Sequence, residues 1–294
     1  MGCDFAIAKD FLLFFLTKPI SMKLSVIIPI YNEIQTIEKI LKKITTVMPE
    51  IPKEIVMVDD GSKDGTREWL VDTFGDPEQH PVLANVNLAG KFQCFPLDQS
   101  AETNGDRQGN SFVMPKEWEV KVIFHRQNQG KGGALHTAFA AATGDVLIIQ
   151  DADLEYDPED WGPMWKLIDG GWADVVYGSR FYGNPHRVLY FHHYLGNKLI
   201  TSLIDLVCNI NLTDIEVCYK MFRREVLEDL RLTCNDFGFE VEFTMKVTRS
   251  PKRWRIYEVG VAYYGRTFAE GKKINWRDGV KALGYIAKFW LTNA

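Results

Sequence analysis

Hydrophobic positions along this chain alternate between two periods. The run Leu24–Ile30 is apolar and β-branched and ends at the turn residues 29–32, so it reads as a strand buried on both faces. Ile34, Ile37, Ile40, Leu41 and Ile44 then recur at helical spacing. EIVMVDDGS repeats the buried-strand pattern, and SKDGTREWLVDTF opens a second helix. After a break, residues 120–125 (VKVIFH) predict a strand, QNQGKGGALHTAFAAAT a glycine turn and helix, GDVLIIQDADLE a strand running into an acidic loop, and residues 174–181 (DVVYGSRF) a strand ending at an arginine. A long helical stretch over 190–209 follows. Short strands over 217–222 and 255–264 then flank a helix starting near Gly238, and a basic helix over 276–291 closes the chain. Strands alternating with helices predict an α/β fold: a single Rossmann-like, mostly parallel sheet flanked by helices.

Two segments fall outside this rhythm. Residues 75–119 are rich in Asn, Gln, Asp, Gly and Pro with no clear period; a compact doubly wound domain rarely needs so long a connection, so they read as an insertion loop. Residues 1–22 read as an N-terminal extension. Its apolar run, residues 11–16, is much shorter than the roughly 20 residues of a membrane span. It lacks a small-residue cleavage site, and Gly2 is followed by Ala6 where a myristoylation signal wants Ser or Thr. The expected organisation is thus an extension over 1–22, a main domain over 23–273 and a C-terminal amphipathic helix over 274–294.

Composition narrows the partners. A formal net charge of −5 and a pI near 5.7 argue against nucleic acid, whose phosphates attract basic surfaces. The five cysteines include no C-x-x-C pair, which disfavours a zinc site and suggests reduced thiols in the cytoplasm.

The chemistry-bearing residues sit where strands end. DADLE, residues 151–155, follows VLIIQ, and a strand's carboxyl end opens into the crevice where α/β folds bind ligands. Carboxylates at alternating positions there suit a hard cation such as Mg²⁺ or Mn²⁺, which would neutralise charge developing on a leaving diphosphate. IPIYNE ends the first strand and VDDGSKDGT the second. Asp60 reads as a ligand contact and Asp64 as a turn or cap residue. NQGKGGAL is a glycine turn opening a helix, favourable to anions, but it is neither G-x-G-x-x-G nor a Walker A motif.

Together, IPIYNE, VDDGSKDGT, NQGKGGA, DADLE and GSR resemble the family 2 glycosyltransferases of GT-A fold, most closely the dolichyl-phosphate mannose synthase and polyprenyl-phosphate branch, from about Lys23 to Lys273 apart from the insertion. The resemblance implies that Pro29, Tyr31, Glu33, Val58 and Asp60 hold the nucleoside. It implies that Asp151, Ala152 and Asp153 line the donor site, that Asp153 and Glu155 ligate Mg²⁺ or Mn²⁺, and that Arg180, Arg266 and Lys272 meet phosphates. Many relatives carry Gln at the Glu155 position.

The acceptor is left open by the residues. Transfer to a hydroxyl calls for a general base, for which Asp214, Asp236, Glu240 and Glu242 are available. A phosphate monoester is already largely dianionic at neutral pH and calls instead for cations: Arg180, His186, Arg187, Arg266, Lys272 and Lys273. The expectation is an inverting transferase moving a hexose from a UDP- or GDP-sugar to a polyprenyl phosphate, with Asp153, Arg180, Arg266 and Glu240 in catalytic roles. A hydroxyl acceptor in polysaccharide or glycoconjugate assembly is the alternative, and a non-catalytic nucleotide-sugar binding subunit a third reading. Apolar stripes on the helices over 190–209 and 276–291 would suit peripheral contact with the cytoplasmic face of a membrane; core packing accounts for them equally well.

Overall fold

The computed structural model describes residues 22–75, 115, 118–188, 190–267, 270 and 276–292. The expected extension over 1–22 and insertion over 75–119 lie, apart from a few edge positions, outside the described residues. Seven strands form one sheet: β1 (Leu24–Ile30), β2 (Lys53–Asp59), β3 (Glu119–Phe124), β4 (Val146–Ile149), β5 (Val175–Ser179), β6 (Lys220–Arg223) and β7 (Ile256–Gly260). Their spatial order is β3-β2-β1-β4-β6-β5-β7. β3, β2, β1 and β4 are parallel neighbours, β6 pairs antiparallel with both β4 and β5, and β5 pairs parallel with β7. The mostly parallel expectation therefore holds, with one reversed strand in the middle.

Helices α1 (Ile37–Thr46), α2 (Thr66–Phe74), α3 (Lys131–Ala141) and α4 (Trp161–Asp169) connect strands of the sheet. α5 (Phe191–Cys208), α6 (Arg224–Glu228), α7 (Gly238–Thr248) and α8 (Trp276–Thr292) follow. The predicted stripe of α1 points inward, Ile37, Ile40, Leu41 and Ile44 being fully buried. β1 and β2 are buried along nearly their whole length, as strands covered on both faces must be. α7 is buried almost all round and lacks an amphipathic stripe; it lies under α8, with α5 alongside.

The two sheet ends differ in chemistry. At the amino end, the buried Glu54 carboxylate receives Lys121 Nζ at 2.8 Å, Thr143 Oγ1 at 2.8 Å, the Gly144 amide at 2.8 Å and the Ser25 hydroxyl. That cluster ties β1, β2, β3 and the entry to β4 together and uses up the carboxylate. The acidic groups at the opposite, carboxyl end of the strands face a cavity.

Candidate active site

The cavity, about 1060 Å³, opens at the carboxyl ends of β1, β2 and β4, the crevice expected of an open α/β sheet. It brings together most residues singled out from the sequence. Pro29, Tyr31 and Glu33 reach it from the end of β1, Asp60 from β2, and Asp151, Ala152, Asp153 and Glu155 from the end of β4, while Arg180, Glu240 and Arg266 close other sides. Val58 is not among them: its side chain is fully buried within β2. Lys272 and Lys273 lie outside the described residues.

Asp60 has a constructive part. Its carboxylate accepts the Gln129 and Gly130 amides, both at 2.8 Å, and lies 2.6 Å from His125 Nδ1. The glycine turn before α3 is thus fastened to the end of β2. Gly130 has φ +91°, a backbone region that favours glycine, and its missing Cβ leaves room for the Asn235 backbone. Asp64 closes its own turn, accepting the Thr66 hydroxyl at 2.6 Å and amide at 3.1 Å and the Ile34 amide at 3.2 Å.

The acidic motif gathers on one guanidinium. Arg266 places Nη2 2.7 Å from Asp153 Oδ2, Nε 3.2 Å from Glu155 Oε1 and Nη1 3.5 Å from Glu33 Oε2, and its amide donates to Glu155 Oε1 at 2.9 Å. Tyr263 donates to the other Glu155 oxygen at 3.0 Å. Burial, then the nearby carboxylates of Asp151 and Glu155, push the Asp153 carboxyl up to about 7, with Arg266 opposing them. A crowd of carboxylates short of positive charge is what a divalent cation relieves.

The donor set fits such an ion in a particular way. Among the described residues no three His, Cys, Asp or Glu side chains are grouped as a self-sufficient metal cage. Two carboxylates within reach of one cation are enough when substrate phosphates and water complete the shell, the usual arrangement for Mg²⁺. Asp153 and Glu155 are both held to Arg266.

Arg180 and Asp214 form a two-pronged pair, Nε–Oδ2 2.6 Å and Nη2–Oδ1 2.7 Å. Asn197 from α5 donates to Asp214 at 3.0 Å, and the guanidinium lies 5.2 Å from the Tyr263 ring centroid. Burial alone would raise the Asp214 carboxyl, but Arg180 outweighs it and holds it below the usual carboxylate range. Asp214 is a locked partner of Arg180, ill-suited to take up a proton. Glu240 is likewise engaged, paired with Lys220 and standing 3.4 Å from Lys131.

Sequence reading overlooked Lys131 and Glu216. Lys131, first residue of α3, bridges Asp151 (3.0 Å) and Glu240 (3.4 Å), so the acidic motif and α7 share one half-buried cation. Its signal was present in GKGGA, a cation inside an otherwise small-residue turn. Glu216 lines the cavity beside these groups; the lone charge between Ile215 and Val217 was its only trace.

A Rossmann-like sheet whose carboxyl end carries clustered carboxylates, a glycine turn and two arginines defines a GT-A-type fold. The chain belongs to the family described as Glycosyl transferase family 2, whose profile matches residues 25–91 and 82–231. It is 28% identical over 263 residues to the dolichol-phosphate mannosyltransferase of Pyrococcus furiosus, covering 86% of this chain and 61% of that protein. It is 26% identical over 260 residues to the undecaprenyl-phosphate mannosyltransferase of Micrococcus luteus, covering 85% and 87%. The chain therefore spans less than two thirds of the Pyrococcus relative's length. Its fold is similar to that of glucosyl-3-phosphoglycerate synthase from Mycobacterium tuberculosis, crystallised with Mn²⁺, UDP and glucosyl-3-phosphoglycerate: TM-score 0.55, 16% identity, 91% of this chain and 79% of the other covered.

Proposed function

We propose that this protein transfers a hexosyl group, with inversion, from a UDP- or GDP-sugar to a polyprenyl phosphate. The observation that carries the reading is the cavity's mixed lining. It is lined by the acidic donor motif, by the apolar side chains of Phe181, Tyr190, Phe191, Tyr194 and Ile200, and by the cations Arg180, Arg187 and Lys281. A long apolar substrate with an anionic head matches that set of surfaces. The named activities of the polyprenyl-phosphate relatives support the same acceptor.

In this reading Asp153 and Glu155 hold Mg²⁺ or Mn²⁺. When bound, the ion supplies Lewis-acid neutralisation of the charge that accumulates on the departing diphosphate. Arg266 exchanges its carboxylate contacts for phosphate oxygens, for which its planar fork is suited. Arg180, kept charged and oriented by Asp214, meets the acceptor's anionic head. A phosphate acceptor arrives with its nucleophilic oxygen already ionised, so no base is required. The engagement of Asp214 with Arg180 and of Glu240 with Lys220 favours this acceptor over a hydroxyl.

Val188, Phe191, Tyr194, Leu195 and Leu199 are exposed at and just before the amino-terminal half of α5, and Val280, Leu283, Trp290 and Leu291 are exposed on α8. Among the described residues no helix is long and apolar enough to cross a membrane, so these faces suit contact with a bilayer surface from which the acceptor is drawn. The test is NDP release from a panel of UDP- and GDP-hexoses with Mg²⁺ or Mn²⁺, with and without polyprenyl phosphate. Turnover should require the lipid phosphate. Equal turnover with a soluble hydroxyl acceptor, and none with the lipid, would overturn the reading.

A further inference from the structure

The cavity floor carries acceptor capacity that the reaction outlined above leaves unused. Glu216 lies in the loop before β6 and lines the cavity, yet its carboxylate finds no hydrogen-bond or ion-pair partner among the described residues. Nearby, Glu240 is 3% exposed and its Oε1 also receives no hydrogen bond, the Lys131 ammonium standing 3.4 Å away. Glu216 therefore presents an unpaired carboxylate to the cavity, while Glu240 Oε1 is enclosed by protein and held only by the Lys131 ion pair. The cavity adjoins Asp151, which Lys131 links to Glu240. The diphosphate has its own cations at Arg266, and a second anion is unwelcome beside two carboxylates. A neutral group rich in O–H donors is what such a floor binds, since buried acceptors left unpaired are costly.

Resting on the transferase reading, we propose that Glu216 accepts hydrogen bonds from ring hydroxyls of the transferred hexose and so helps determine which sugar is used. A site built to receive a hydroxyl discriminates strongly against a sugar that lacks it or points it elsewhere, because its own polar atoms are then stranded. The state of Glu216 matters. Burial first, then the Glu240 carboxylate, push its carboxyl up to about 7; Arg180 and Lys220 oppose the rise and Asp214 adds to it. Hydroxyl donors favour the charged form, so the sugar binds better once the proton has left.

The experiment uses the full chain with Mn²⁺, polyprenyl phosphate, the best NDP-hexose and its mono-deoxy analogues. Glu216→Gln should lower kcat/KM for the parent sugar about 10- to 100-fold. It should also shrink the preference over one deoxy analogue. Affinity for free NDP, measured by calorimetry, should stay unchanged, which also shows that the variant folds. Between pH 6 and pH 8 the donor KM should fall more steeply in the native protein than in the variant. Undiminished discrimination in Glu216→Gln overturns the proposal, as does a loss of NDP affinity as large as the loss on the donor. A change confined to the acceptor's KM overturns it too. A native protein inert with every sugar nucleotide sinks the transferase reading along with it; an active native protein and an indifferent variant sink this proposal alone.

Discussion

At the scale of single residues, location along a strand separates acids enclosed in the fold from acids that reach the cavity. Glu54 stands near the start of β2 and Asp60 just past its end, and both are buried. Burial alone would raise the Glu54 carboxyl, but Lys121, then Ser25 and Thr143, bring it down to about 2. A depressed folded-state pKa means stability that is complete above the unfolded value near 4.5 and is lost as pH falls through that value towards 2. The gap corresponds to about 3 kcal/mol. Glu54→Gln should show that deficit in urea unfolding at pH 7 and much less of it at pH 3; a deficit independent of pH would contradict the account. Asp153 calls for the opposite outcome. Its environment is short of cations, so Asp153→Ala should abolish metal-dependent donor binding while leaving the unfolding midpoint within about 1 kcal/mol of native. Normal donor affinity in that variant would remove Asp153 from the metal site.

Whole elements explain what was legible in the sequence and what was not. β1, α1 and β2 were readable because burial on two faces, or on one stripe, writes a period into the chain; Leu24–Ile30 coincides with the predicted strand. The later strands are shorter than the apolar runs that predict them. The run over 217–222 meets β6 only from Lys220 onward. Val217 and Tyr219 are fully buried, but in the approach to the strand, where Tyr219 packs on the Tyr156 ring and donates to Gln150 at 2.6 Å. The reading of 255–264 overshoots β7, since residues beyond Gly260 leave the sheet to hold Glu155 and Asp160. Glu216 escaped notice for the same reason: tertiary packing, not periodicity, brings it to the cavity. The glycine turn of α3 was legible as anion-friendly, but its tighter constraint lies across the fold. A Cβ on Gly132 would overlap the Cys234 carbonyl, and the Gly133 amide donates to Asn235 at 2.9 Å. Gly132→Ala should therefore destabilise the protein by about 1–3 kcal/mol and weaken donor binding, since Lys131 moves with the turn. Gly162→Ala, in α4 with open space around it, is the contrasting change: a gain of roughly 0.5 kcal/mol from better helix propensity. Equal thermal shifts for the two variants would show that the packing of Gly132 is not what the turn requires.

For the molecule as a whole, the distribution of apolar surface matters more than its amount. The chain is acidic overall, at −5, so long-range attraction to an anionic bilayer is not expected to drive association. Lys198 on α5 and Lys281 and Lys288 on α8 supply local positive charge, but Lys198 is drawn over the Phe181 ring and Lys288 over Phe289. The contact with a membrane would then depend on apolar insertion. α8 divides its residues accordingly, Ala282, Ile286 and Phe289 facing the protein while Leu283, Trp290 and Leu291 face outward. On α5, Phe191 is largely exposed and also lines the cavity, so one side chain belongs both to the outer surface and to the cavity in which the acceptor is proposed to bind. Phe191→Ser should therefore do two things at once. It should reduce co-flotation with neutral phosphatidylcholine vesicles, and it should raise the KM for a long-chain polyprenyl phosphate while leaving the donor KM unaltered. Trp290→Ser, on α8 and away from the cavity lining, should reduce flotation with a smaller effect on the KM of a short, detergent-soluble prenyl phosphate. If both variants float as the native protein does, the outward apolar faces serve something other than a bilayer, and the acceptor must reach Arg180 by another route.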